Sequence, residues 1–563
     1  MATKRRFLYG VLLCSFFSLA LPVGLLAQDN AEKETSTAAQ EKAEAQPEAA
    51  RPNGLHAIDW TIIFLYAAST IALGAYFSRR QSTAKEYFIG SGNMNPILVG
   101  VSLFATLLST ISYLSMPGEI IGKGPVNMAT MIGYPFVFLI VSICIIPVYM
   151  RQRVTSAYEM LEIRLGYPVR VLGAAMFVLL RLVWMSLLIY LAAKALTEML
   201  GVAEENKERC TQIIVVVTGV VALIYTTLGG LRAVVITDCL QTVLLFGGAV
   251  LVIITVTVRC GGFSWFPTQW EDHWDNQPIF SLDPSERVTF VGSILSMIVW
   301  YVATAAGDQT SVQRFMATRD EASARKAFKV QLIVSIVVGL TLSVVGFALL
   351  GYFRQFPTSE VDLANNADFV FPHYISFYLP PGVSGLVVSA MFAAAMSSID
   401  SGVNSITAVI TSDFLSNTRL KPRSDQQQVK IARVCACAIG GIVVVGSAFI
   451  GYVPGNITAV TQKTSNLLVT PIFALFFFAL FVKRATTPGV ITGAFFGILT
   501  AVLIGFSGPI KAAIYGLDPS TVKDPISFQW IGITSLLVNI VVGLLVSRVW
   551  GTAKSLDLIQ ETG

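Results

Sequence analysis

Charged side chains are scarce in this sequence: they make up 13% of its 563 residues, whereas hydrophobic residues make up 54%. A soluble domain carries about 25% charged residues, so this chain cannot cover its own surface with polar groups. Its apolar runs are about 20 residues long or longer, which is enough to cross a ~30 Å hydrocarbon core. The composition therefore argues against a large soluble protein and predicts an all-α polytopic membrane protein.

Histidine is almost absent as well. The three histidines, His56, His273 and His373, all fall in segments predicted to lie outside the membrane. None is therefore left for a proton relay or a metal site within the membrane. The sequence also lacks a GxSxG motif, a phosphate-binding loop and a basic patch with interleaved aromatics, which argues against an enzyme and against a nucleic-acid partner.

The seven cysteines include no CxxC pair. Cys210 and Cys260 both fall in predicted outer loops, where an oxidising compartment would permit a disulfide. The sequence leaves open whether they pair or remain free thiols.

The N-terminus resembles a secretory signal. Residues 1–27 contain a basic start, an apolar stretch and Ala27 as the last residue before a cleavage position. A retained signal anchor is the alternative, because Leu25 is larger than the small residue usual at its position. Residues 28–56 are rich in Ala, Glu and Gln, which predicts a disordered extracytoplasmic linker.

Thirteen apolar spans follow within residues 57–551, and residues 552–563 form a predicted cytoplasmic tail. With an outside start, most Lys and Arg residues of the loops lie on the inner side, as the positive-inside rule requires. Trp265, Trp270 and Trp274 precede span seven in an outer loop, which indicates an aromatic belt or a lid over a vestibule. The predicted spans cover about 58–78, 97–121, 128–149, 168–199, 211–229, 236–258, 287–307, 328–353, 383–411, 429–451, 456–482, 487–507 and 530–550.

Span two contains six Ser and Thr residues between Ser102 and Ser115, followed by Pro117 and Gly118. Proline removes a backbone hydrogen bond, and a carbonyl freed within a membrane must find a partner inside the protein. Many transporters use such a broken helix to present backbone oxygens to a cation. The alternative is a kinked helix whose hydroxyls bond to its own backbone, and this span alone does not decide between them.

Span nine is crowded with small residues between Ala393 and Ser405, with Asp400 near the middle. Small residues alone indicate close helix packing, but a carboxylate at mid-membrane costs roughly 2.5–3.5 kcal/mol or more. Asp400 lies three residues after Ser397, and Ser401 lies three after Ser398, so these oxygens share one helix face. Such a face suits a small hard cation, with a structural hydrogen bond as the alternative.

In these features the sequence resembles the solute:sodium symporter family, which includes the sodium–glucose, iodide, multivitamin and bacterial sialic-acid cotransporters. The resemblance covers about residues 58–485 and rests on the joint order of several motifs, each of them weak alone. The motifs are Glu86-Tyr-Phe-Ile-Gly-Ser-Gly, the serine-rich span two, Gly229-Gly-Leu with Thr237-Asp238, Gln309 with Gln313-Arg314, and the Ala-Ala-Met-Ser-Ser stretch that ends at Ser398.

The resemblance implies a LeuT-like core of two inverted five-helix repeats. Spans two to six, about 97–258, form one repeat, and spans seven to eleven, about 287–482, form the other. Spans one, twelve and thirteen are then peripheral. The opposite predicted directions of spans two and seven agree with this inversion.

Two sodium sites follow from the same resemblance. The first uses the backbone carbonyls of Ala105, Leu108 and Ala394 and the hydroxyls of Ser397 and Ser398. In members with a second sodium, an acid stands at the position of Asp238, which could otherwise be an ordinary acid at a helix N-terminus. We hypothesise that the second site here is formed by Asp238, Asp400 and Ser401, although the sialic-acid branch has serine at the position of Asp400.

The substrate residues are less complete. By resemblance to the sialic-acid branch, Ser109, Thr110 and Ser112 would grip a carboxylate, but Trp184 stands where that branch has its arginine. Arg181, one turn away, either substitutes for that arginine or is a structural or vestibule charge.

An aromatic pocket of Tyr113, Trp184 and Tyr301 suits a sugar ring or a small organic acid, although each ring could equally serve packing. Met116 and Thr304 complete the predicted substrate set. The sugar-binding pattern of the glucose branch is also incomplete, because Tyr301 and Thr304 replace its polar and aromatic pair.

The expected function is sodium-driven uptake of a small organic solute by alternating access, with a sugar, a sialic-acid-like molecule or a monocarboxylate as the solute class and sodium as the coupled ion. A sodium-independent uniporter or an ion channel of the same fold is the alternative. We expect a monomer or weak oligomer in a bacterial inner membrane, with the mature N-terminus outside and the C-terminus in the cytoplasm. The sequence does not name the solute.

Overall fold

The computed structural model does not describe the predicted signal at 1–27, nearly all of the linker at 28–56, or the tail at 552–563. Residues 86–89 of the first family motif also lie outside the described residues. The structure describes residues 54–78, 90–152, 154–276, 278–415, 424–450, 457–518, 522 and 524–550.

The described residues fold into helices and contain no β-strand. We number the α-helices in chain order. They are α1 (Ala57–Ser78), α2 (Pro96–Leu107), α3 (Thr110–Lys123), α4 (Tyr134–Ile140), α5 (Ile146–Gln152), α6 (Glu159–Leu165), α7 (Tyr167–Met199), α8 (Glu204–Arg259), α9 (Phe290–Gly307), α10 (Gln309–Met316), α11 (Glu321–Gln355), α12 (Ala367–Phe377), α13 (Val383–Val409), α14 (Asp425–Ser447), α15 (Ile457–Asn466), α16 (Val469–Phe481), α17 (Thr487–Gly505), α18 (Ser507–Tyr515) and α19 (Gln529–Val549).

Eleven helical stretches of the described residues are long and apolar enough to cross a membrane, and the bent pair α2 and α3 makes a twelfth. The predicted spans five and six form one stretch, α8, which is interrupted at Gly230. Gly230 has φ 64° and ψ 166°, a conformation that a residue with a side chain rarely adopts. The total of thirteen spans therefore stays a prediction.

The third span is irregular, in contrast to the single helix expected from its hydropathy. A 3₁₀ segment, Pro125–Gly133, leads into α4, and a π-helical turn, Val141–Ile145, separates α4 from α5. Such turns are common at functional sites. Here the 3₁₀ segment packs against α9 and lines a cavity described below.

Helix α13 lies at the centre of the bundle. The apolar window within Val383–Leu415 is 94% buried inside the protein, whereas the window Ala57–Gly74 of α1 is only 22% buried. The N-terminus of α13 is held by Asp59 of α1, whose Oδ1 accepts the backbone N–H groups of Gly382 at 2.7 Å and Gly385 at 2.8 Å. The small-residue span is thus the inner helix, enclosed by its neighbours.

The tryptophan-rich loop packs against α3. Trp274 is 5% exposed and donates its Nε1–H to the carbonyl of Ile121 at 3.0 Å. Trp265 is also buried, and Trp270 is exposed. None of the three lines the cavity described below, and their role as an aromatic belt or a lid stays a prediction. Cys210 and Cys260 are both free thiols in the structure.

Candidate ion and solute sites

The interruption of span two lies at Leu108 and Ser109. Both residues have extended backbone angles, and α2 and α3 meet there at 66°. The last ladder bond of α2 runs from the Leu108 N–H to the carbonyl of Phe104, so the carbonyls that follow leave the helical ladder. Pro117, which the sequence made the candidate for the break, lies inside α3. Its ring removes one bond within a helix that continues past it.

Helix α13 passes beside this break. The buried hydroxyl of Ser398 donates to the carbonyl of Thr106 at 3.1 Å and lies 3.4 Å from the carbonyl of Leu108. Ala105 and Ala394 are buried in the same apolar cluster. The structure thus brings together backbone carbonyls and a hydroxyl from two helices, the type of oxygen set by which broken helices of transporters hold sodium.

Ser397, the remaining member of the predicted first site, points to a different partner. Its hydroxyl donates to Oδ1 of Asp238 at 2.5 Å. Asp238 is fully buried in α8 and also accepts a hydrogen bond from the hydroxyl of Ser102 in α2. A buried carboxylate requires such partners, because burial removes the solvent contacts that would otherwise stabilise its charge.

A buried arginine completes this cluster. The guanidinium of Arg314, on α10, has its NH2 group 3.3 Å from Oδ2 of Asp238 and donates to the Ser401 hydroxyl at 2.5 Å. It also donates from Nε to the Ser102 hydroxyl at 2.9 Å and from NH1 to the carbonyl of Thr310 at 3.1 Å. Two of the three predicted ligands of the second sodium, Asp238 and Ser401, are therefore bridged by a cation of the protein itself.

Asp400, the third predicted ligand, is also fully buried on α13. Tyr66 of α1 lies within electrostatic range of both Asp400 and Asp238, and its hydroxyl accepts a bond from Gln241 at 3.3 Å. The region around the predicted second site therefore contains two acids and one base, all within the bundle.

Arg314 had no predicted role, because the apolar span seven ends at residue 307 and Arg314 follows it. The structure shows a second break there: Asp308 is extended, with φ −93° and ψ 117°, and the polar helix α10 follows it. All eight residues of α10 are buried. A short polar segment between two apolar helices was the available signal for a buried functional element.

Asp308 is also the ion-pair partner of Arg181. Its Oδ1 accepts the backbone N–H of Thr310 at 2.8 Å, and its Oδ2 forms an ion pair with the guanidinium of Arg181. Both side chains are more than 90% buried. Arg181 thus forms a buried ion pair, and its substitution for the missing arginine stays a prediction.

A cavity of about 190 Å³ lies beside the break in span two and is lined by residues of both α2 and α3. Among the predicted substrate residues, Ser112, Met116, Trp184 and Tyr301 line it. Arg181 and Thr304 line a smaller adjoining cavity of about 20 Å³, which also touches Trp184. Residues that the sequence analysis did not select include Glu119, Asn127, Thr130, Tyr134, Ser293, Trp300, Ser335, Gln462, Ser465 and Gln529.

Ser109, Thr110 and Tyr113 do not line this cavity. Thr110 donates its hydroxyl to the carbonyl of Met391 at 3.0 Å. Tyr113 is fully buried, and its ring centroid lies 5.4 Å from that of Phe371. The bend before α3 turns this helix face into the protein core. Of the three hydroxyl residues expected to bind a carboxylate, only Ser112 therefore lines the cavity.

Comparison with known proteins extends this description. A family model for the sodium:solute symporter family matches residues 87–497. A putative sodium-dependent multivitamin transporter of Drosophila melanogaster is 30% identical over 84% of this chain and 78% of its own length. A sodium/sialic acid symporter of Proteus mirabilis is 28% identical over 89% of this chain and 97% of its own length.

A solved structure agrees with these relatives. The substrate-bound, outward-open state of a Na⁺-coupled sialic acid symporter superimposes with a TM-score of 0.72 at 26% sequence identity, over 89% of this chain and all of that chain. The likeness confirms the expected fold, an all-α polytopic protein with a LeuT-like core.

Proposed function

The chain belongs to the sodium:solute symporter family, and from that premise we propose that it couples inward sodium flux to the uptake of a small organic solute by alternating access. The family consists of transporters and not of enzymes. One sodium ion moving down a potential of 100 mV releases about 2.3 kcal/mol. That free energy is available to accumulate the solute.

The contact of Ser398 with the broken end of α2 is the observation that carries this proposal. The Ser398 hydroxyl reaches the carbonyls of Thr106 and Leu108, so it joins the central helix to the interruption. A sodium ion bound by Ala105, Leu108, Ala394, Ser397 and Ser398 would replace this internal hydrogen bond with coordination of all five oxygens. Sodium binding would then fix the position of α13 relative to α2.

The second sodium is the finer part of the proposal. It would use Asp238, Asp400 and Ser401, and the geometry adds a condition. Because Arg314 contacts Asp238 and Ser401, sodium can bind there only if the guanidinium moves or shares these oxygens. The Asp238 carboxylate would then exchange one positive partner for another.

The solute would bind in the cavity lined by Ser112, Met116, Trp184 and Tyr301. This cavity lies at the end of the bundle that the charge pattern predicts to be outer, in a bacterial inner membrane. The inner end would be the side where the solute is released. We expect the protein to work as a monomer or weak oligomer.

The test of sodium coupling is tracer uptake into proteoliposomes. Uptake should exceed equilibrium with an inward sodium gradient and should stop at equilibrium when potassium replaces sodium on both sides. Equal uptake in both conditions would favour a sodium-independent uniporter. Ion current that does not depend on any solute would favour a channel.

The two-sodium proposal has its own test. Asp400→Asn removes one of the acids near the second site and should lower both the sodium affinity and the Hill coefficient for sodium. Ser389→Ala, on the same helix, is a suitable control, because its hydroxyl bonds to the carbonyl of Gly385 at 2.7 Å and contacts no predicted ligand. An Asp400→Asn variant with unchanged affinity and Hill coefficient would leave a single sodium site.

A further inference from the structure

The wall of the 190 Å³ cavity contains no basic side chain among the described residues. Its single charged residue is Glu119, which is 3% exposed and forms an ion pair with Arg287. Arg287 also pairs with Asp275 at 2.6 Å, so this group of three charges is net negative. A carboxylate buried in the cavity would meet no opposite charge, and such burial costs several kcal/mol.

Two basic side chains beside the cavity are already paired. The Arg181 guanidinium is held by Asp308, and Lys463, next to the cavity residue Gln462, donates to Asp524 at 2.5 Å. Releasing either base for a solute would leave its acid unpaired within the protein. Neither Arg181 nor Lys463 can therefore turn to a solute carboxylate at low cost.

The N-terminus of α3 is the other feature that could hold an anion. Two of the hydroxyls expected there do not serve the cavity. Ser109 does not line it, and Thr110 is bonded to the carbonyl of Met391. Of the hydroxyl residues Ser109, Thr110 and Ser112, only Ser112 lines the cavity, and a single hydroxyl is too little for a carboxylate site.

Uncharged hydroxyl groups are plentiful in the same wall. Ser112, Ser115, Ser296, Thr458 and Thr461 all line the cavity, and their hydroxyls make no hydrogen bond within the described part of the chain. The Thr461 hydroxyl is buried without a partner. Because buried polar groups are normally satisfied, the Thr461 hydroxyl indicates a ligand at this wall. The other four hydroxyls can both donate and accept hydrogen bonds, so the same ligand could pair with them.

Aromatic rings form another part of the wall. The ring centroid of Tyr301 lies 5.2 Å from that of Tyr134 and 5.0 Å from that of Trp300, both edge to face. Trp184 also lines the cavity. Large apolar faces beside a few polar groups are typical of small-molecule sites, and they suit the C–H face of a saturated ring.

We infer that the transported solute is a neutral polyhydroxylated molecule, such as a sugar or a cyclic polyol, and that the cavity selects against carboxylates. The inference rests on the proposed transport function and gives it a substrate class. Free hydroxyls of the wall pair with hydroxyls of the solute, and the aromatic rings contact its carbon skeleton. The described residues of the wall include no basic side chain, which disfavours a carboxylate.

Matched pairs of solutes test this selectivity directly. The purified protein in sodium is titrated with D-glucose, D-galactose, myo-inositol and other neutral sugars, and with D-glucuronate, D-galacturonate, N-acetylneuraminate, L-lactate and choline. At least one neutral compound should raise the melting temperature in a saturable way, while its uronate should not. A panel without a neutral ligand, or one in which an anion or choline binds, overturns the inference.

Charge counting separates this inference from the proposed function. For a neutral solute, the charge moved per solute equals the number of sodium ions, whereas a monovalent anion moves one charge fewer. Sodium-driven uptake of an anion would therefore refute the neutral solute and leave sodium coupling intact. Uptake of a neutral solute that ignores sodium would refute the coupling instead.

Two threonines on α15 provide matched variants. Thr461→Val removes an uncommitted hydroxyl and should weaken binding of the neutral solute roughly 3- to 10-fold. Thr464→Val is the control, because its hydroxyl bonds to the carbonyl of Val460 at 2.8 Å and does not line the cavity. Equal affinities of the two variants would exclude Thr461 as a contact.

Trp184→Arg tests the role of the missing base. It introduces a positive charge into the cavity wall and should increase the affinity for a uronate relative to its neutral sugar at least several-fold. An unchanged ratio in a folded Trp184→Arg variant would show that charge in the wall does not set the selectivity.

Discussion

The ion cluster (Asp238, Arg314, Ser102, Ser397 and Ser401) and the solute cavity both include residues of the broken pair α2 and α3. They differ in whether their hydroxyls are hydrogen-bonded within the protein. Around Asp238, the hydroxyls of Ser102, Ser397 and Ser401 are all bonded within the protein, and the charge is balanced by Arg314. Around the cavity, hydroxyls such as Ser112 have no bond within the described residues. We call the ion cluster saturated because these hydroxyls are bonded within the protein, and the solute cavity unsaturated because several of its hydroxyls are not.

This difference separates two ways of binding a ligand. An ion that enters the saturated cluster must replace internal bonds, so its binding is coupled to movement of α13, α10 or α2. A solute that enters the unsaturated cavity finds groups that already lack partners, so its binding needs little rearrangement of the wall. We therefore expect substitutions in the cluster to affect folding and coupling, and substitutions in the cavity to affect solute affinity.

Among the variants proposed here, Asp238→Asn should lower the stability of the protein most, because it disrupts the saturated ion cluster. It leaves Arg314 charged in a fully buried position without its counter-ion, which costs about 3–5 kcal/mol of unfolding free energy. Thermal unfolding of the purified protein in detergent measures the loss. Uptake driven by sodium should fall with it.

Two further variants identify the cause of that loss. Adding Arg314→Gln to Asp238→Asn removes the unpaired charge, so the double variant should be more stable than the sum of the single effects predicts. Arg319→Gln breaks an exposed ion pair with Asp320 and should cost at most about 1 kcal/mol. Additive single effects in the double variant would show that Asp238 and Arg314 do not act as a pair.

The sequence predicted the two regions unequally. Small residues and hydroxyls on span nine indicated a helix of special function, and the structure places it at the centre with Ser398 at the broken span. The location of the break was wrong, because Pro117 carries a strong local signal whereas Leu108 and Ser109 carry none. Their extended backbone is stabilised by contacts with α13, which lies almost 300 residues later in the chain.

Local sequence patterns could not predict the partners of the buried charged residues. Arg314 meets Asp238 across 76 positions and Ser401 across 87, and only the fold brings these elements together. The cavity wall shows the same limit, since Tyr134 enters it from an irregular third span that hydropathy predicts as one regular helix. Family resemblance supplied the names of the sodium ligands, but the competing cation is visible only in three dimensions.

Ser398→Ala tests whether the contact between α13 and the broken helix α2 forms the first sodium site. It removes a hydroxyl that would coordinate the ion, and hydrogen bonds or ligands to a charged group contribute about 1.5–3 kcal/mol. The sodium affinity should therefore fall roughly 10- to 100-fold, as measured by sodium titration of the melting temperature or of uptake. Ser389→Ala on the same helix should leave the affinity unchanged, and equal losses in both variants would argue for a general effect of α13 packing.

A pair of serines on the broken helix makes the smallest and most direct comparison. Ser102→Ala removes a hydroxyl that donates to Asp238 and accepts from Arg314, so it should cost about 1–3 kcal/mol of unfolding free energy. Ser115→Ala removes a hydroxyl that lines the cavity without a protein partner, so stability should stay within about 0.5 kcal/mol while solute affinity falls. Because the chemical change is identical, any difference in stability comes from the surroundings. Equal destabilisation by the two substitutions would contradict the division into a saturated ion cluster and an unsaturated solute cavity.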